Sequence, residues 1–212
     1  MLNPILILIG LTVAISAYAW SNRGLLEAWI LEPYVMARNG QWYRLLTSGF
    51  LHADWAHLLF NMFAFYSFGP LVLSTLVQGY GTGAGIGLFL ALYLGGIIVS
   101  DLPTYFRHRD DRGYRSLGAS GGVASVLFAS IMLLPVTPKG QGILIFPLPF
   151  PIQPFLFGVL YLAYSYFMGR RRADNVNHDA HFYGALFGVL VIIALVPGVL
   201  ANFVQQVSAY RF

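Results

Sequence analysis

The sequence predicts an all-α membrane protein, a polytopic bundle of six transmembrane helices. Of the 212 residues, 58% are hydrophobic and only 9% are charged, whereas an average soluble domain is about 25% charged. The charges also fall into clusters, and the uncharged stretches between them are long enough for helices of about 20 apolar residues. Composition and charge pattern together therefore place most of the chain inside a bilayer.

The uncharged stretches set the positions of the helices. No Asp, Glu, Lys or Arg occurs in residues 1–22 or 55–100, and only Lys139 is charged between residues 116 and 169. A glycine-rich run at 78–83 divides one stretch, and several prolines divide another, because proline suits helix starts better than helix interiors. We expect helices at residues 2–20, 56–77, 84–100, 118–135, 152–169 and 180–203.

The first helix and the loop after it have distinct signatures. Ala17-Tyr18-Ala19 resembles a signal-peptidase site, but no basic segment precedes the apolar run, so we expect an uncleaved first helix. All four tryptophans lie in or beside the loop at residues 21–55. Because tryptophan prefers the membrane–water interface, we expect this loop to lie in the interface.

Polar residues stand at the start of two of the predicted helices. His57 and Asn61 are four residues apart, which places them on one face of the second helix. Ser120 lies between glycines where the fourth helix begins. Polar groups in membrane helices hydrogen bond to neighbouring helices or face a cavity. Each motif alone is open to both a packing and a functional interpretation.

The sixth predicted helix begins with a histidine and two glycines on one face. His181, Gly184 and Gly188 follow each other at spacings of three and four residues. The two glycines form a small-residue surface on which another helix can pack closely. A helix packed there would come near His181, although a lone membrane histidine is also compatible with a purely structural role.

Helix direction brings these motifs to one side of the membrane. With six spans, the second, fourth and sixth helices run the same way, so their N-terminal ends share one surface. At 1.5 Å per residue, Ser120, His181 and His57 should each lie within roughly 10 Å of that surface. A hydroxyl beside an imidazole is a nucleophile with its base, and a further imidazole and an amide can stabilise an oxyanion.

These motifs, with Trp42-Tyr43-Arg44 and Phe50-Leu51-His52 in the first loop, resemble the rhomboid family of intramembrane serine proteases. Each motif is weak alone, but their order and helix positions make the resemblance specific. It covers essentially the whole chain, residues 1–212, as a single rhomboid-like membrane domain in the compact six-helix form.

The resemblance implies a role for each matched position. Ser120 would be the nucleophile and His181 its general base, without an acidic third member. The oxyanion hole would combine the His57 and Asn61 side chains with the Ser120 backbone N–H. The supporting glycines would be Gly118, Gly121, Gly184 and Gly188. The implied partners are transmembrane protein substrates and membrane lipids, the implied location is the bacterial inner (cell) membrane, and helix 152–169 would be similar to the family's lateral gate.

Two features depart from the family pattern. Ala124 stands where the family often places an aromatic ring on the catalytic histidine, so either Tyr183, Phe128 or another ring orients His181, or the dyad is looser. Arginines also concentrate in the loops of the active side, and the positive-inside rule alone would place that side in the cytoplasm. The resemblance implies the reverse orientation, with both termini cytoplasmic, and we adopt it.

The remaining titratable residues are read as structural. Asp179 is two residues from His181 and therefore on another helix face, and His178 lacks the matching glycine spacing. We expect solvated loop charges or plain loop residues at Asp101, Asp174, His52 and His108. The spacing of His, Asp and Glu suggests no metal site, and we expect no cofactor and no nucleic-acid partner. The chain has no cysteine.

Two other functions remain compatible with parts of the sequence. A catalytically silent rhomboid-like protein would bind membrane helices, but silent relatives typically lose the serine or histidine, and this chain keeps both. A small transporter or channel would place polar groups near the membrane midplane. Here they cluster at one end of the helices. The sequence therefore favours a serine protease.

Overall fold

The computed structural model describes residues 3–145, 149–171 and 176–211. Within these ranges the secondary structure is helical, apart from two isolated bridging pairs that join Leu31 to Ser116 and Ile143 to Ile152. The prediction of an all-α fold is therefore confirmed. The α-helices are α1 (Pro4–Ser21), α2 (Arg23–Trp29), α3 (Pro33–Asn39), α4 (Arg44–Thr47), α5 (Trp55–Tyr80), α6 (Thr82–His108), α7 (Ser120–Leu133), α8 (Pro154–Arg171), α9 (His178–Leu195) and α10 (Val199–Ala209), with a 3₁₀ turn at Ser48–Phe50.

Four of these helices, α1, α5, α6 and α9, are long and apolar enough to cross a membrane. The chain is thus an integral, multi-pass membrane protein. Helix α7 is apolar but has 14 residues, or about 21 Å, which is less than the roughly 30 Å of a bilayer core. Helix α8 has 18 residues and ends in two arginines. Six spans are compatible with these lengths and stay a prediction.

The helix boundaries correct the sequence-based positions in two places. The predicted helix 180–203 is two helices, because Pro197 and Gly198, with φ 78°, separate α9 from α10. The predicted helix 84–100 continues to His108, so Asp101 lies inside α6 and not in a loop. Leu2, the predicted start of the first helix, lies outside the described residues.

Helix α7 is the centre of the bundle. Every residue from 121 to 132 is buried, and α5, α6 and α9 pack around it, with α8 against both α9 and α7, and α1 against α5. A helix that is apolar on all sides suits such a position, because it has no face to present to water.

Glycine makes the contacts of α7 unusually close. A Cβ added to Gly184 would lie 2.3 Å from the backbone oxygen of Gly121, and one added to Gly188 would lie 2.1 Å from that of Ser125. On the other side of α7, a Cβ on Gly122 would lie 2.7 Å from the backbone oxygen of Tyr93. Small residues let helix backbones touch in this way, so α6, α7 and α9 form one tightly packed unit.

The segment between α1 and α5 is folded onto the helices by buried polar side chains. Arg44 is 5% exposed, and its guanidinium donates to the backbone oxygens of Glu27 at 2.8 Å and Ile30 at 2.7 Å. These bonds satisfy carbonyls at the end of α2 that no helix bond can reach. The segment is therefore an ordered cover and not a free linker.

His52 anchors this cover to α1 and to the start of α7. It is a loop residue, as the sequence predicts, but its side chain is only 2% exposed. Its Nε2 accepts a long bond, 3.5 Å, from the Ala119 backbone N–H, and its Nδ1 lies 3.0 Å from the Ser16 hydroxyl, which donates to the Phe50 carbonyl. Burial, and then the nearby His57, lower the pKa of His52 to about 3, so the imidazole is neutral.

Gly188→Ala should destabilise the protein by about 1–3 kcal/mol, the usual effect of overpacking, because backbone atoms and not a flexible side chain occupy the space. Gly87→Ala is the matched control, since nothing lies within 4 Å of its added Cβ in the long helix α6. Thermal unfolding in detergent micelles should show a lower midpoint for Gly188→Ala and an unchanged or higher one for Gly87→Ala. Equal midpoints would contradict the close approach of α9 to α7.

Acidification should weaken the fold through His52. Its pKa in the folded chain lies below the unfolded value of about 6.5, so the unfolded state binds the proton more tightly. Stability is full above pH 6.5 and declines as the pH falls toward 3. Between pH 7 and pH 4 the unfolding midpoint of the unaltered protein should fall more steeply than that of His52→Gln. Parallel pH profiles would show that His52 is not buried in its neutral form.

Candidate active site

The first turns of α5 carry two of the predicted site residues. The Asp54 carboxylate caps the helix by accepting from the His57 backbone N–H at 2.8 Å, which fixes where the helix begins. His57 is half-buried, and Asn61 is only 8% exposed and donates from Nδ2 to the His57 carbonyl at 2.9 Å. Both side chains therefore lie at the loop-side end of α5, one turn apart.

Gly118 brings the loop before α7 against His57. Its φ of 129° belongs to the left-handed region that favours glycine. A Cβ at this position would lie 2.8 Å from Cε1 and 2.9 Å from Nε2 of His57. The Gly118 N–H also donates to the Ser48 carbonyl at 3.0 Å. The imidazole of His57 thus lies over the backbone two residues before Ser120.

Ser120 is the first residue of α7 and is half-buried. Ala119 occupies the N-cap position, so no side chain caps the helix there. The first N–H groups of α7 therefore carry the positive end of the helix dipole at Ser120. Helix α7 is shorter than the roughly 30 Å of a bilayer core, and the segment before α5 contacts its start, so Ser120 is only partly accessible.

His181 lies in the first turn of α9, one turn before the first close glycine contact. Gly184 contacts the backbone of Gly121, the residue after Ser120. The same helix–helix contact therefore lies one turn from His181 and one residue from Ser120. His181 is half-buried, and the ring of His178 is 5.8 Å away, edge to face.

An aromatic ring from α8 faces His181. The ring of Tyr161 is nearly parallel to the imidazole, with centroids 6.0 Å apart and planes inclined by 22°. The rings of Phe128 and Phe157 are tilted against that of Tyr161, with centroids 5.5 and 5.7 Å away. The sequence named Tyr183, Phe128 or another ring for this place, and the ring that faces His181 is Tyr161, which is distant along the chain and gives no signal besides being aromatic.

Asp101 and His108 lie in a helix and not in the predicted loops. Asp101 is buried inside α6, 7% exposed, and is not a solvated loop charge; His108 ends the same helix and is also buried. Asp179 forms an ion pair with Arg107, away from His181. Asp174 lies outside the described residues. Among the described residues, no group of three or more His, Asp or Glu is arranged to hold a metal ion.

Sequence comparisons agree with this architecture. A family model described as the Rhomboid domain matches residues 39–198. Rhomboid-like protein 11, chloroplastic, of Arabidopsis thaliana is 28% identical over 200 residues, 88% of this chain and 62% of its own length. Presenilin-associated rhomboid-like protein A, mitochondrial, of Danio rerio is 33% identical over 155 residues, 70% of this chain and 36% of its own length.

A third relative is named as an enzyme. Rhomboid protease GluP of Bacillus subtilis is 33% identical over 109 residues, which is 51% of this chain and 19% of that protein. The chain thus spans between about a fifth and three fifths of the length of these three relatives, one named as a protease and two as rhomboid-like. The Rhomboid domain match covers most of the chain, including every motif of the site, and the chain belongs to the rhomboid family.

Proposed function

We propose that this protein is an intramembrane serine endopeptidase with a Ser120–His181 dyad. The observation that carries the proposal is the backbone contact between Gly184 and Gly121. It joins the second turn of α9, one turn after the imidazole of His181, to the first turn of α7, which holds the hydroxyl. Nucleophile and base must be within hydrogen-bond reach, and no bulkier pair of residues would allow this approach.

The dyad would act by acyl transfer. Ser120 Oγ attacks the carbonyl carbon of a substrate peptide bond while an imidazole nitrogen of His181 accepts the hydroxyl proton. His181 then gives that proton to the leaving amine, which leaves an acyl ester on Ser120. Water, deprotonated by His181, attacks the ester and restores the free serine.

His57, Asn61 and the Ser120 backbone N–H would stabilise the oxyanion. The ring of His57 is held over Gly118, and Asn61 lies one turn further along α5. The unobstructed start of α7 adds N–H groups and the positive end of a helix dipole. Donors fixed in advance, away from bulk water, stabilise a developing charge strongly.

The depth of the site suggests the kind of substrate. Ser120 is half-buried at the start of a helix shorter than the bilayer core, in a protein whose surroundings are lipid. A segment that reaches it must come from the membrane, so we propose transmembrane helices that unwind near one end. We also propose six spans in a single domain over residues 1–212, and the bacterial inner membrane as its location.

Labelling with a fluorophosphonate probe tests the dyad without knowledge of the substrate. Such a probe reacts only with an activated serine. The purified protein in detergent micelles should be labelled, and Ser120→Ala and His181→Ala should both lose the label while remaining folded. Labelling is expected to fall by at least about 10³-fold, as when a dyad member is removed from other serine hydrolases.

Two outcomes would contradict this proposal. Folded protein that never reacts would favour the silent, helix-binding function. Labelling that survives Ser120→Ala would identify another serine as the nucleophile. Circular dichroism and gel filtration of each variant exclude loss of fold as the cause.

The ring of Tyr161 should help to orient His181. Stacked aromatic pairs contribute about 0.5–1.5 kcal/mol, so Tyr161→Ala should slow labelling by about two- to tenfold. Tyr161→Phe keeps the ring and should label at nearly the rate of the unaltered protein. Phe167→Ala is the control on the same helix, since that side chain is 63% exposed. Equal labelling rates for Tyr161→Ala and Phe167→Ala would show that Tyr161 does not orient His181.

A further inference from the structure

A polar cluster joins the segments that lead into α7 and α9. Its centre is Asn177, the N-cap of α9 and the residue one helical turn before His181. Asn177 contacts Ser116, which stands four residues before Ser120, with 3.3 Å between Nδ2 and Oγ. One side chain thus bridges the approaches to both members of the proposed dyad.

Helix α6 supplies the other half of the cluster. Asn177 Nδ2 donates to Asp101 Oδ1 at 3.2 Å, and Thr104 Oγ1 donates to Asn177 Oδ1 at 3.1 Å. The Asn177 oxygen also accepts from the Ala180 backbone N–H at 3.1 Å. The amide therefore uses both of its N–H donors and both oxygen lone pairs, its full capacity.

The chemistry of the position requires an amide and not merely a capping residue. Asp, Ser or Thr would serve equally well as an N-cap, since capping needs one acceptor. Only the NH₂ group can donate to Asp101 and Ser116 at once. Asp101 is 7% exposed, and a buried carboxyl without a donor is strongly unfavourable. The bond from Asn177 therefore stabilises the buried Asp101 carboxyl as well as capping α9.

We propose that Asn177, held by Asp101, is a positioning residue that sets His181 relative to Ser120. This inference rests on the proposed function. Asn177 does not act on the substrate. It ties the N-terminus of α9 to α6 and to the loop before α7, while the glycine contacts fix α9 to α7 about two and three turns further along. The two attachments together leave the first turn of α9 little freedom to tilt.

Asn177→Asp tests the inference because it keeps the cap and removes both donors. The new carboxylate would face that of Asp101 at about the present 3.2 Å, and the start of α9 should shift. A displacement of about 1 Å can slow a reaction by as much as 10²-fold, so we expect fluorophosphonate labelling to slow by about 10- to 100-fold. Asn22→Asp, the same change at the cap of α2, is the matched control and should label normally.

Exchange of the two residues should restore the site. In Asp101→Asn with Asn177→Asp, the new amide at 101 donates to the new carboxylate at 177, which still accepts from Thr104 and Ala180. The Ser116 hydroxyl can rotate to donate as well. The exchanged protein should regain most of the labelling rate. Failure of the exchange to improve on Asn177→Asp, with all proteins folded, would overturn the inference.

A second readout separates this inference from the proposed function. The imidazole ¹⁵N resonances of His181, identified by their loss in His181→Ala, report its surroundings whether or not the protein hydrolyses anything. They should shift in Asn177→Asp and return in the exchanged protein. A protein that does not react with the fluorophosphonate but shows this NMR response would reject the protease proposal and retain the positioning role. Resonances unmoved by Asn177→Asp would reject the positioning role even in an active enzyme.

Discussion

The backbones of α7 and α9 touch with no side chain between them. At Gly184 and Gly188, carbonyl oxygens of the neighbouring helix lie 2.3 and 2.1 Å from where a Cβ would be. Within lipid, helices gain little from the hydrophobic effect, so close van der Waals packing of this kind is what holds them together. Because Ser120 and His181 lie beside the contact, the interaction that stabilises the bundle also sets the geometry of the proposed dyad.

The cover between α1 and α5 is bonded to the loop that leads into α7. His52 is neutral and buried, and it reaches the Ala119 N–H immediately before Ser120, while Gly118 donates to Ser48 and leaves room for the ring of His57. These bonds fold the loop before α7 into the protein. Because α7 is short and begins beneath this cover, the protein partly encloses the polar site at its start. A simple bundle of six equal helices would lack such a site.

Much of this architecture could be predicted from the sequence, because charge-free stretches and glycine spacing are local signals. The starts of α5, α7 and α9 fall within two residues of their predicted positions. What the sequence could not reveal depends on partners distant along the chain. Asp101 looked like a loop charge because its partner Asn177 is distant along the chain, and the burial of the loop residue His52 depends on the equally distant Ser16 and Ala119. Tyr161 could be identified as the ring facing His181 only from the folded structure.

An experimental structure of the protein after reaction with a fluorophosphonate would test the central claim most directly. Our account predicts phosphorus bonded to Ser120 Oγ, with His181 in hydrogen-bond distance of that oxygen. The phosphoryl oxygen should point toward His57, Asn61 and the Ser120 N–H, and the α7–α9 glycine contact should be unchanged. An adduct on another serine, or a His181 ring remote from the modified oxygen, would contradict the claim that this contact assembles a catalytic site.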